Sequence, residues 1–230
     1  KSLFRLGGEE VNKILNSKCF AFSRIKACAI LSLCFCVFFA AGCLGRSKAP
    51  HLVEQYSLEY APPAAESTVR MRESIKVERF SVAQSFNSQA MVYREQPYKL
   101  AAYNYNRWRV NPGDMVTDYL TRDLRAANVF SAVFSYRDIE GTRFIVEGGV
   151  EEFLEMMVQD NWKAVLKTNV SFIDGSQKEL TKRVVFQKRY NFEESLKEHS
   201  PDEFARGMSV NMQRFSEQLI KDIHGVAGKN

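Results

Sequence analysis

Residues 162–173 read Trp-Lys-Ala-Val-Leu-Lys-Thr-Asn-Val-Ser-Phe-Ile, and Trp162, Ala164, Leu166, Val170 and Phe172 fall on one face of a strand of period two. Asp174-Gly175-Ser176 then turns the chain, and Lys182–Phe192 puts Val184, Phe186, Tyr190 and Phe192 on one face of a second strand. Two neighbouring strands with apolar faces need a covering layer, and the chain supplies one at once. Ser200-Pro201-Asp202-Glu203 is a capping box with proline at the first helical position. Phe204, Met208, Met212, Phe215, Leu219 and Ile223 follow at helical spacing, and Gly225 is expected to end that helix after Lys221 and His224.

Upstream the same grammar repeats. Asn111-Pro112-Gly113-Asp114 offers an N-cap, a proline at N1 and an acid in the first turn. Met115, Val116, Tyr119, Leu120, Leu124 and Ala127 then mark a helix running to about Asn128. Further strands are expected over Val53–Tyr60, Ile75–Val82 (where the alternation breaks midway), Ala90–Arg94, Lys99–Tyr105 and Arg143–Val150. Glu95-Gln96-Pro97 would turn a hairpin, and Gly148-Gly149 marks a bulge or a close backbone approach. Strands, helix, strands, helix predicts a single-domain α/β sandwich over 53–226. Its sheet would be mixed or mostly antiparallel, with two helices packed on one face.

The first 42 residues do not belong to that domain. Cys19, Cys28, Cys34, Cys36 and Cys43 are the five cysteines of the chain, and none follows. Ala27–Gly42 carries no charge and is preceded by Lys13, Lys18, Arg24 and Lys26, as in a secretory leader. As a helix this run would reach about 24 Å, short of a hydrocarbon core of roughly 30 Å. Ala40-Ala41-Gly42-Cys43 resembles the lipobox of bacterial lipoproteins, with Ala40 where leucine is common. That resemblance implies cleavage between Gly42 and Cys43 and lipid attachment on Cys43, which fixes the mature chain to a membrane. Residues 43–52 would then be a lipidated tether. Leu44 behind the cysteine, in place of aspartate, favours the outer membrane by the enteric sorting rule.

Removing the leader also removes Lys1, Arg5, Lys13, Lys18, Arg24 and Lys26 against Glu9 and Glu10, so the domain itself is nearly neutral. There is thus no electrostatic case for nucleic acid. With Cys43 acylated no internal disulfide can form, and stability must come from packing. His51, His199 and His224 lack metal-ligand spacing, and no nucleophile-elbow, Walker A or dinucleotide fingerprint occurs. His199 beside Ser200 reads as a neighbour of a helix cap before it reads as half of a nucleophilic pair. Glu147, Glu151, Glu152 and Glu155 cluster, with the parity of any half-exposed strand. No catalytic residue, metal or cofactor is expected. The aromatic run Tyr93, Tyr98, Tyr103, Tyr105 and Trp108 is either core against the first helix or an interaction surface. Tyr93, Tyr103, Tyr105 and Trp108 are the candidate partner-binding residues.

Several stretches together resemble the ABC-type transport auxiliary lipoprotein family, which includes the paraquat-inducible protein C-like lipoproteins. They are Tyr56-Ser57-Leu58, Ile75–Phe80, Met91–Tyr98 with Tyr103–Trp108 and Pro112, Val129–Val133, Val184–Phe192 and the helix opening at Pro201. Arg107 and Arg109 depart from the pattern, which has small residues after the tryptophan. The resemblance implies a non-enzymatic periplasmic lipoprotein working beside an ABC permease and ATPase and a protein with a mammalian cell entry (MCE) domain. Such systems move phospholipids or other hydrophobic molecules between the inner and outer membranes. A homo-oligomer is compatible with the sequence. The rival readings are an outer-membrane assembly or plug lipoprotein for a β-barrel, and a lipid-anchored hydrolase.

Overall fold

The computed structural model describes residues 51–64, 70–139 and 141–227. The expected leader at 1–42, the cleavage site at Gly42 and Cys43, and the tether as far as Pro50 lie outside them. The described elements are β1 (Glu54–Tyr56), β2 (Ser74–Val77), β3 (Ser81–Val82), β4 (Ala90–Arg94), β5 (Ala101–Trp108), α1 (Pro112–Ala127), β6 (Ala132–Ser135), β7 (Phe144–Val158), β8 (Asn161–Asp174), β9 (Val184–Ser195) and α2 (Pro201–Ala227).

All these strands join one mixed sheet, and β7 is its spine. One flank of β7 pairs antiparallel with β8 from Phe144↔Asp174 to Val158↔Asn161. The other flank takes three short parallel strands end to end: β2 beside Phe144–Val146, β3 beside Gly149–Val150 and β4 beside Glu155–Met156. β6 lies outside β2, β5 outside β4 with β1 beyond it, and β9 outside β8. Both long helices cover one face, as expected of the sandwich.

The break foreseen within Ile75–Val82 has a physical cause. Phe80 N–H leaves the ladder and donates to Thr117 Oγ1 of α1 at 3.0 Å. The Phe80 ring lies over Gly148 of β7, where a Cβ would stand 2.7 Å from it, so the glycine marks a close approach. The bulge falls just beyond, between Val150 and Glu152. Ahead of it the even residues Val146 and Val150 stand opposite Phe172 and Thr168 of β8; after it the odd residues Phe153 and Glu155 stand opposite Leu166 and Ala164, so one extra residue moves the helix-facing parity from even to odd.

The helices form where their caps say. Asn111 Oδ1 accepts from Gly113 N–H at 2.9 Å, and α1 closes on Asn128 in the left-handed conformation. The α2 stripe Phe204, Met208, Met212, Phe215, Leu219 and Ile223 is fully buried. Phe215 sits edge-on to Tyr190 at 5.3 Å, and buried Asn211 donates to Ala164 O at 2.9 Å. Gly207 permits this closeness, since a Cβ there would stand 2.8 Å from that of Ala164.

Several boundaries differ from expectation: β1 stops at Tyr56, short of Tyr60, and β5 begins at Ala101 and continues to Trp108. Gly225 does not end α2, which continues through one more pair of residues to Ala227. β7 continues past Val150 to Val158, because pairing with β8 overrides the helical preference of Glu-Glu-Phe-Leu-Glu-Met-Met. A single helical turn at Leu180–Arg183 delays β9 to Val184. Val129–Val133, likened to the family's helix exit, runs into an edge strand, Ala132–Ser135, too short to show a period.

At the far end of the β7–β8 hairpin, Asp174 is buried yet ionised. Arg143 approaches its carboxylate at 3.0 Å and also reaches Glu73 at 3.1 Å; Ser176 donates its hydroxyl at 2.6 Å and its N–H at 3.0 Å. Burial alone would raise the Asp174 pKa, but these donors outweigh it and bring it from 3.8 to about 2. A depressed acid stabilises the fold above its unfolded pKa and loses that contribution as pH falls through the folded value. This one is on the order of 2 kcal/mol. Chemical denaturation between pH 4 and pH 2 should therefore show wild type losing that amount relative to Asp174→Asn, and parallel curves would refute it.

Candidate functional site

β4 runs parallel to β7 and β8 returns from it, so β4, β7 and the start of β8 come together at one end of the sheet. There five side chains from five segments meet: Tyr93 of β4, Tyr103 of β5, Glu155 of β7, Trp162 of β8 and His199 of the loop before α2. The His199 ring is stacked on Trp162 with centroids 3.9 Å apart. Tyr93 meets it at 5.0 Å edge-on and Tyr103 at 5.3 Å, while Tyr93 and Tyr103 contact each other at 5.2 Å.

Glu155 lies under this aromatic wall and is wholly buried. Tyr103 Oη donates to Glu155 Oε2 at 2.7 Å, and His199 Nδ1 is 3.0 Å from Glu155 Oε1. The same nitrogen is 3.0 Å from Tyr103 Oη. Desolvation pushes the Glu155 pKa above the usual carboxylate range, against the opposing pull of Tyr103 and His199. Burial and the adjoining carboxylate push the Tyr103 phenol far up, so it stays a donor. The arrangement is a π-walled seat over a buried carboxyl group, filled by the protein's own imidazole.

Acyl-transfer chemistry would need a nucleophile on His199, and the neighbouring Ser200 is committed elsewhere. Ser200 Oγ accepts from Glu203 N–H at 3.3 Å and donates to Glu198 at 3.3 Å, as a helix cap. The return half of the expected capping box differs, because the Glu203 carboxylate reaches back to Lys197 N–H at 3.0 Å. Among the described residues, no group of three or more His, Cys, Asp or Glu could hold a metal ion.

The candidate partner-binding residues separate. Tyr93 and Tyr103 are half-buried in the cluster. Tyr105 is 46% exposed and stacks on His51 at 4.3 Å. Trp108 is 1% exposed, wedged edge-on between Phe153 at 5.3 Å and Phe204 of α2 at 5.2 Å. It is core, because the rings of β7 and α2 close over it, and in this structure it presents no surface to a partner. The Glu cluster separates as well. Glu151 pairs with Arg189 at 2.9 Å and Glu152 with Lys167 at 2.9 Å, while the bulge turns Glu155 inward. Sequence reading missed Glu155 and His199 as partners. A bulge carries no residue signature that would have announced it, and five contributors spread over more than a hundred residues leave no spacing to read.

A family model described as ABC-type transport auxiliary lipoprotein component matches residues 56–220. No curated protein matches the chain in sequence. Among solved structures the chain resembles protein XCC0632 from Xanthomonas campestris, of the DUF330 family, with TM-score 0.69 at 15% identity, covering 77% of this chain and 98% of that one. It also resembles the hypothetical protein CT253 from Chlamydia trachomatis, with TM-score 0.53 at 10% identity, covering 70% and 100%. At these identities the likeness concerns the fold.

Two measurements check the site. Trp108→Ala should cost about 3–5 kcal/mol in urea unfolding, and Tyr105→Ala under about 1 kcal/mol; equal losses would contradict the core assignment of Trp108. Glu155 carries the opposite sign to Asp174. A raised acid binds more protons folded than unfolded, so its contribution is fully present below 4.5 and is lost as pH rises towards the folded value. Wild type should therefore lose stability relative to Glu155→Gln as pH rises through that window. A constant difference between the two would remove the electrostatic account.

Proposed function

The chain belongs to the ABC-type transport auxiliary lipoprotein component family, and from that premise we propose that it is a lipid-anchored, non-enzymatic accessory subunit of an MCE-type transport system. The system would move phospholipid or other hydrophobic molecules between the inner and outer membranes. The observation that carries this reading is the reach of the family match, from the last residue of β1 to within α2. The lipobox-like Ala40-Ala41-Gly42-Cys43 supports an anchor at Cys43, and Leu44 supports the periplasmic face of the outer membrane.

In this reading the domain works by protein contact with the MCE-domain protein and, through it, with the permease and ATPase. Of the four candidate partner-binding residues, Tyr105 offers exposed area with a polar tip. Tyr93 and Tyr103 back it from the half-buried cluster. The fully buried Trp108 holds the strand in place behind them.

Affinity capture of the full chain extracted from membranes, with mass spectrometry of what accompanies it, tests the reading. An MCE-domain protein should be recovered, and Tyr105→Ala should reduce its recovery while the domain stays folded. Recovery of a β-barrel protein instead would support an assembly or plug lipoprotein. Recovery of neither would overturn the transport role.

A further inference from the structure

The described chain begins at one particular corner of the sheet. β1 runs parallel to β5 with Glu54 opposite Asn106, so going upstream from Glu54 the backbone heads towards Ala101 and the tip of the β4–β5 hairpin. His51 is stacked on Tyr105, and Leu52 and Val53 stand 84% and 49% exposed beside β5. The tip ahead of them, Glu95-Gln96-Pro97-Tyr98-Lys99-Leu100, sets two large exposed side chains among polar ones. Tyr98, held at φ 67°, is fully exposed, and Leu100 is 46% exposed. Lys99 stands between them.

We infer that the hairpin tip at this corner, Tyr98, Lys99 and Leu100, rests on the interfacial layer of the membrane that holds the lipid anchor. The inference builds on the Cys43 anchor of the preceding section. Seven residues lie between Cys43 and His51, and the eight chain steps from one to the other extend at most about 28 Å. The upstream chain therefore leaves the domain at the corner that carries the exposed apolar side chains. Tyrosine at the headgroup level with leucine beneath and lysine beside anionic lipid is the composition the interface selects. The Asp174–Lys178 turn caps the opposite end of β7 and β8, roughly 50 Å away along the strands, and is set towards the periplasm. Tyr105 lies about 13 Å up β5 from Ala101, clear of the surface and open to a partner standing beside it.

The mature acylated protein would carry no other thiol, because Cys19, Cys28, Cys34 and Cys36 precede Cys43. Gln96→Cys and Lys178→Cys can therefore each take one fluorophore, in vesicles of phosphatidylethanolamine and phosphatidylglycerol containing a headgroup-labelled nitroxide lipid. With acylation of Cys43 verified by mass, the label at 96 should lose most of its fluorescence and the label at 178 should keep it. Adding Tyr98→Ser and Leu100→Ser should restore much of the signal at 96. Equal quenching at 96 and 178, or no recovery in the serine variant, would overturn the corner contact while leaving the anchor standing. An unacylated Cys43 would overturn the anchor itself, and the inference with it.

Discussion

Fifteen residues of β7 present backbone N–H and C=O groups on two flanks, and burying them in a domain interior is tolerable only if both flanks are paired. β8 satisfies one flank along its whole length, with a single break at the Glu151 bulge. The other is satisfied in three instalments, by β2, β3 and β4, while between them Glu78 and Ala83 donate their N–H groups to Val146 O and Val150 O and the Ser81 hydroxyl donates to Gly148 O. Most of what distinguishes this domain follows from that arrangement. Phe80 crosses where β7 has no side chain to obstruct it, and the helices cover the face that the bulge rearranges.

The bulge also decides where a site can exist. Without the extra residue at Glu151, Phe153 and Glu155 would lie on the face away from the helices and Leu154 on the face towards them. With it, a carboxylate faces the aromatic side chains of three neighbouring strands. The imidazole above it comes from the loop that enters α2, which the buried α2 stripe holds against β8 and β9. A long strand, one inserted residue and one well-packed helix thus bring together groups drawn from positions 93 to 199.

The parts of this fold legible in the sequence were those carried by local signals. Asn111, Pro112 and Ser200 cap helices as read, and the alternation in Trp162–Ile173 identifies its inward face. The hairpin around Glu95-Gln96-Pro97 and the weakness in Ile75–Val82 both stand in the structure. What escaped depends on pairing. Glu151–Val158 has the composition of a helix and is a strand because β8 lies beside it. Ala132–Ser135 becomes a strand because β2 is open there. The aromatic run was rightly singled out as either core or surface, but its division between the two depends on which rings Phe153 and Phe204 cover. The cluster around Glu155 was illegible for the same reason: its members become neighbours after the sheet has formed.

The central strand lies late in the chain, and this gives the domain a timetable. The β7–β8–β9 meander joins neighbours in sequence, whereas β2 must wait about seventy residues for Phe144 to appear. A chain that emerges from its N-terminus first therefore presents β2, β3 and β4 long before the strand they share exists. Until residues 144–158 arrive, that first half has its local β4–β5 hairpin and α1 but cannot complete a core.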